Sequence, residues 1–268
     1  MEIIYAIILG LVQGIAEFLP ISSSGHLVIA EALLRQLTDG GLPEIFAGLT
    51  MEIALHAGTL MSIVVVYFRE LLALTRQRER LFRIVMASIP VACVGVFLRD
   101  MMEPVFDNAL MAGCCLLFTA VILLLTRRCQ RAAGKEDSGE SLTMGRAMVI
   151  GAMQAVAILP GISRAGMTIS GGLLCGLSGR ESASFSFQLA LPAVGGAALL
   201  EVISLMQQET SVAEELLPLL VGAAVSFLTG LLALRWLLAL LAQGRMHRFS
   251  AYCGAVGLLT IVWQLLSD

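Results

Sequence analysis

GIAEFLPISSSGHL, residues 14–27, decides how the rest of the chain is read. An apolar helix carrying Glu17 breaks at Pro20, turns through Ser22, Ser23 and Ser24, and restarts at Gly25 and His26. One carboxylate, three hydroxyls and one imidazole thus share ten residues between two runs apolar enough for a bilayer. Ionisable groups at membrane depth are costly and mark function. The plain structural alternative is a helix break with a serine cap at a membrane surface.

The composition around this stretch fits a membrane. The chain has 268 residues, 58% hydrophobic and 14% charged, with a mean hydropathy of +0.89. Soluble domains carry about 25% charged residues. The length suits six or seven spans of about 20 residues. A net charge of −3 gives no argument for a nucleic-acid partner. Cysteines 93, 114, 115, 129, 175 and 253 lie mostly in apolar runs without a CxxC pair. They read as buried small hydrophobes, not disulfides or metal ligands. Glu17 inside the first apolar run, with no basic segment before it, argues against a cleaved signal peptide.

Residues 1–19 predict a helix of about 28 Å, and 26–37 a second one, with no hydrophilic connection between them. That pattern predicts a re-entrant hairpin over 1–37 whose tip lies inside the membrane, surrounded by protein or a water-filled cavity. Gly10, Gln13, Gly14 and Glu17 share one helix face and should point into protein. Spans are expected near 45–68, 84–98, 110–126, 183–205, 217–240 and 250–266. Residues 69–83 form a loop with five arginines, and 127–146 a basic linker.

The opening pattern then returns. ILGLVQGIAEFLPISSSGHL (8–27) resembles VIGAMQAVAILPGISRAGMT (149–168). At an offset of 141, Gly10, Gln13, Ser22 and Gly25 match Gly151, Gln154, Ser163 and Gly166. ALHAG at 54–58 and ALPAVG at 190–195 follow the two hairpins. The chain reads as two repeats, 1–126 and 147–268, the second opening with a hairpin over 147–180. With basic loops in the cytoplasm, the acidic loops (Asp100, Glu103, Asp107; Glu209, Glu214, Glu215) fall outside, with both termini and the opening of the first hairpin. Three spans separate the hairpins, so the repeats are inverted, as in transporters. The expected fold is an all-α polytopic membrane protein with six transmembrane helices and two re-entrant hairpins.

Two hairpins arriving from opposite faces bring their tips together. Each tip starts a helix, whose free N–H groups attract anions. Arg164 and the hydroxyls of Ser22, Ser23, Ser24, Ser163 and Thr168 complete an anion cage, and the planar fork of arginine matches phosphate. Glu17 and His26 add a base and a proton carrier, which phosphate binding alone does not need. Glu17 as a structural partner of Arg164 is the rival reading. Glu52 and His56, one turn apart, are assigned packing or supporting roles. His247 is placed at the surface, and Ser178, Gly179 and Arg180 at the end of a helix.

QGIAEFLPISSSGH and PGISRAGMTISGG resemble the two signature motifs of the bacterial undecaprenyl-pyrophosphate phosphatase family of the bacitracin-resistance type. The likeness covers essentially the whole chain, ALHAGTL included. It implies hydrolysis of undecaprenyl pyrophosphate to the monophosphate carrier of peptidoglycan synthesis. It further implies a divalent cation (Mg²⁺ or Ca²⁺) and a multi-pass protein of the bacterial inner membrane. Membrane lipids are partners, nucleic acid is not, and a homodimer is compatible. By the motifs, Gln13 and Glu17 take the (E/Q)xxxE positions, Ser23 and His26 those of the serine and histidine, and Arg164 that of the phosphate-binding arginine. Gly25 and Gly166 complete the tips. Gln13 stands where many members have Glu, leaving Glu17 as the metal carboxylate, and Ala165 stands where the motif often has Ser. Ser23 activated by His26 is the preferred nucleophile, with Glu17 orienting the imidazole or holding metal; His26 itself is the close rival. A lipid-phosphate flippase is the alternative function.

Overall fold

The computed structural model describes residues 2–37, 49–97, 108–133, 141–206 and 216–267. These form eleven α-helices: α1 Glu2–Phe18, α2 Ser23–Leu37, α3 Leu49–Val66, α4 Phe68–Leu74, α5 Arg78–Phe97, α6 Ala109–Ala133, α7 Met144–Val156, α8 Arg164–Leu174, α9 Gly179–Met206, α10 Leu216–Ala242 and α11 Phe249–Ser267. No strand occurs among the described residues. The acidic loops expected around Asp100, Glu103, Asp107, Glu209, Glu214 and Glu215 lie outside them, as does Lys135 of the linker.

Helix α1 shows why this chain needs a lipid surround. Its buried face carries Gly10, Gln13, Gly14 and Glu17. Its outer face carries Ile3, Ile4, Ile7, Ile8, Leu11 and Ile15, all exposed. Water would reverse that pattern; lipid permits it, and the small inner residues let helices approach closely. A Cβ at Gly14 would overlap Thr229 and sit 2.6 Å from the Ser226 carbonyl of α10. At Gly151 of α7 a Cβ would overlap the Ala87 carbonyl of α5. Each hairpin's first arm therefore packs on a helix from the other part of the chain, α1 on α10 and α7 on α5.

Four described helical segments are long and apolar enough to cross a membrane: Arg78–Phe97, Ala109–Arg127, Leu216–Ala242 and Met246–Leu266. Thr50–Val66 and Phe68–Leu74 are long and apolar enough only when taken together, and they are bent by 79° at the break between them. The chain is a helical, polytopic membrane protein. At 28 residues α9 is long enough, but its first half carries Arg180, Glu181, Ser182, Ser184, Ser186 and Gln188.

Three local expectations are corrected. The arginine-rich stretch 69–83 is mostly helical, in α4 and the start of α5, because Arg, Glu and Leu are strong helix formers and no Gly or Pro interrupts them. Ser178 opens a helix instead of closing one: α8 ends by Gly176 at φ +85°, and Ser178 Oγ accepts the Glu181 N–H at 3.2 Å. Cys93 and Cys114 are exposed, while Cys115 and Cys253 are buried; on a lipid-facing surface a thiol remains in apolar surroundings.

Just beyond Glu17, Phe18 meets Phe187 edge to face at 5.7 Å, and the tilted ring of Tyr67 also lies 5.7 Å from Phe187. This aromatic group fixes where α1 ends, and so where its last carboxylate sits.

Candidate active site

The first tip is built around Ser22. Its φ of 70° lies in the left-handed region, uncommon for a residue with a Cβ. Its hydroxyl accepts the Gly25 N–H at 3.3 Å, capping α2, and the Gly161 N–H of the second tip at 3.1 Å. In the second tip Ser163 caps α8 by accepting the Gly166 N–H at 3.0 Å. A Cβ at Gly25 would lie 2.7 Å from Gly161 Cα, so the two backbones touch there. Thr119 of α6 holds the second tip, donating to the Gly161 carbonyl at 2.9 Å and accepting the Ser163 N–H at 3.1 Å.

Glu17 is the hub. Its Oε2 accepts from Ser23 Oγ at 2.6 Å and Gln13 Nε2 at 3.0 Å. Its Oε1 accepts from Arg164 Nη2 at 2.5 Å. His56 Nε2 lies 3.8 Å from Oε2. One carboxylate thus joins α1, both hairpin tips and α3. Only 7% of Glu17 is exposed, and in such surroundings a carboxylate needs this many donors. Arg164 keeps Nη1 buried and without a hydrogen-bond partner among the described residues. A guanidinium with one edge on a carboxylate and the other unsatisfied is arranged to receive a further anion.

His26 stands apart from that hub. Its Nδ1 lies 2.7 Å from the Ser22 carbonyl, which can only accept, so Nδ1 carries the hydrogen. Its Nε2 lone pair faces the Tyr252 hydroxyl at 2.9 Å. The expected Ser23–His26 bond is replaced by Ser23–Glu17, and the imidazole beside Glu17 is that of His56.

The other predicted residues divide into two groups. The hydroxyls of Ser22 and Ser163 are buried and committed to caps. Thr168 is buried too, bonded to the Arg164 carbonyl at 2.8 Å and Ser186 Oγ at 2.5 Å. These hold the tips. Ser23, Ser24 and His26 are only partly buried and stay within reach of a ligand; Ser24 Oγ lies 3.4 Å from Ser22 Oγ. Sequence reasoning gave His56 a packing or supporting role and did not place Tyr252 or Thr119 here. An imidazole at span depth was a signal for His56; a lone Thr or Tyr in an apolar helix gives none.

For a divalent cation, the chain offers Glu17 and the buried Gln13 Oε1, which has no hydrogen-bond partner among the described residues. No group of three or more His, Cys, Asp or Glu suited to a metal occurs among the described residues. Mg²⁺ is commonly held by one or two carboxylates plus substrate phosphates. The donor set fits an ion of that kind, arriving with a phosphorylated substrate.

Fold and site together define a polytopic helical membrane protein with a buried carboxylate–guanidinium pair where two helix breaks meet. The family model described as bacitracin resistance protein BacA matches residues 6–259. An undecaprenyl-diphosphatase of Rhodopirellula baltica is 40% identical over 265 residues, covering 98% of this chain and 99% of the relative. Proteins of the same name from Parabacteroides distasonis (36%; 97% of this chain, 98% of the relative) and Korarchaeum cryptofilum (37%; 96% and 98%) are similar throughout. The chain belongs to the bacitracin resistance protein BacA family.

Proposed function

We propose that this protein hydrolyses undecaprenyl pyrophosphate to undecaprenyl phosphate and inorganic phosphate, recycling the lipid carrier of peptidoglycan synthesis and conferring bacitracin resistance. The relatives' name supplies the substrate. The observation that carries the reaction is Ser23 Oγ held 2.6 Å from Glu17 Oε2, a hydroxyl already bonded to a proton acceptor. Ser23 Oγ attacks the terminal phosphorus and its proton passes to Glu17. Arg164 turns its open Nη1 edge to the transferring oxygens, where developing charge is best stabilised. The bond to the bridging oxygen breaks, and the lipid monophosphate leaves. Water then attacks the phosphoserine, giving a proton to His26 Nε2, while Ser23 regains its own from Glu17. A divalent cation on Glu17 and Gln13 Oε1 would neutralise phosphate charge.

The arrangement proposed is six spans and two re-entrant hairpins in inverted repeats, supported by the matching α1–α10 and α7–α5 packing. Basic loops lie in the cytoplasm, and both termini and the site opening lie outside. Cysteines introduced at Asp107 and Glu214 should react with an impermeant label on intact cells, and one at Lys135 should not; the reverse pattern inverts the orientation.

The test of activity is phosphate release by detergent-solubilised protein. There a flippase, which needs charge compensation but no nucleophile, has nothing to score. Release by wild type, with phosphate found on Ser23 in His26→Asn after quenching, is the expected result. Phosphate on His26 of wild type would exchange the two roles, and no release would leave the transporter reading.

A further inference from the structure

We infer that Tyr252 is a positioning residue for this reaction, holding the His26 imidazole by its ring face and by Nε2. Two independent contacts carry this. The Tyr252 and His26 rings are stacked, centroids 5.6 Å apart and planes 8° from parallel. The Tyr252 hydroxyl lies 2.9 Å from Nε2. Because the Ser22 carbonyl fixes the hydrogen on Nδ1, Nε2 must accept, and the tyrosine O–H donates.

The two contacts control different motions. Stacking sets the plane of the imidazole. The hydroxyl, with the Ser22 carbonyl on the other nitrogen, prevents the ring from turning over and putting carbon where each nitrogen stands. Without that restraint, a ring turned over would present Cε1–H where the Nε2 lone pair is needed. The residue is well placed to do this without being part of the hub. Tyr252 lies on α11, and the next residue, Cys253, donates through Sγ to the Pro20 carbonyl at 3.5 Å. The helix that bears the tyrosine is therefore fixed to the hairpin turn whose histidine it orients. Tyr252 is 44% exposed, so its O–H can rotate about the Cζ–Oη bond towards an approaching water and release the Nε2 lone pair, while the ring and its oxygen stay in place.

This inference rests on His26 acting in the reaction. The experiment uses the full-length protein in detergent, with wild type, Tyr252→Phe, Tyr252→Leu and His26→Asn. Phosphate release gives kcat and KM; the rate of His26 carbethoxylation by diethyl pyrocarbonate, followed on its peptide by mass spectrometry, reports whether the Nε2 lone pair is occupied. Loss of one hydrogen bond predicts a kcat lower by roughly threefold to tenfold in Tyr252→Phe, with KM unchanged and carbethoxylation of His26 faster. Tyr252→Leu, which also loses the stack, should lower kcat further. An unchanged kcat or an unchanged carbethoxylation rate in Tyr252→Phe overturns the inference, as does a KM that rises as kcat falls. A fully active His26→Asn instead overturns the role of His26 itself, whatever Tyr252→Phe does.

Discussion

The two hairpin tips share a scaffold and differ in chemistry. Ser22 and Ser163 each cap the helix that follows, through the N–H of a matching glycine. Gln13 and Gln154 are both buried. At the same sequence offset, however, Glu17 corresponds to Ile158, Ser23 to Arg164 and His26 to Met167. The first tip supplies acceptor, hydroxyl and imidazole; the second supplies the cation. Even the paired glutamines diverge: Gln13 Nε2 is bonded to Glu17, whereas both amide atoms of Gln154 lack partners among the described residues. The opposite charges of the two tips meet in one contact, Glu17 Oε1 with Arg164 Nη2.

The sharpest way to break this comparison is at Ser23. Ser23→Ala should lower kcat by about 10⁴-fold or more, the scale for removing a nucleophile from a unit that acts together. Ser24→Ala, beside it, should remain within about tenfold, since a single neutral hydrogen bond contributes about 1 kcal/mol. The opposite ranking in a phosphate-release assay would move the nucleophile by one residue.

The next effect is at Arg164. Arg164→Ala should lose about 10²–10³ in rate, and Arg164→Lys nearly as much, because an ammonium lacks the planar fork. Each single variant leaves Glu17 buried beside fewer donors and should melt lower. The pair Glu17→Leu with Arg164→Leu should recover stability but not turnover. An active double variant would reduce the bridge between the tips to a structural ion pair.

The glutamines give a smaller contrast. Gln13→Met removes a hydrogen bond to a charged group and should cost roughly tenfold in rate. Gln154→Met removes buried amide atoms that have no partner, so activity should hold and thermal stability should stay level or rise. Equal losses in both would mean that the two copies have not diverged at this position.

These contrasts bear on what the sequence disclosed. The two tips, their serine caps and the charged residues were legible because ionisable groups and helix breakers are conspicuous in apolar sequence. The buried stripe of α1 followed from helical spacing alone. The wiring between the groups was not legible. Ser23 and His26 are close in sequence, yet the helical turn beginning at Ser23 sends one side chain to Glu17 and the other to Tyr252, 226 residues away. His56 was visible as an imidazole in a span, but its approach to Glu17 depends on how α3 packs against α1. The helical nature of 69–83 was missed because five arginines were read as polarity, not as helix propensity.

Ser22 has a further consequence, for how the protein is made. Its left-handed backbone costs on the order of 1–3 kcal/mol unless neighbours hold it. One of those neighbours, the Gly161 N–H, lies 139 residues downstream. A ribosome adds about 5–20 residues per second, so the first hairpin waits roughly 7–28 seconds in the membrane before that partner exists. Until then its serine turn has only its own hairpin's bonds, such as that from the Gly25 N–H, and the carboxylate above it has no arginine. A chain released before Gly161 emerges carries Glu17, Ser23 and His26 without the Arg164 that Glu17 binds in the folded protein, and the helices that pack on α1 and hold Pro20, α10 and α11, follow later still.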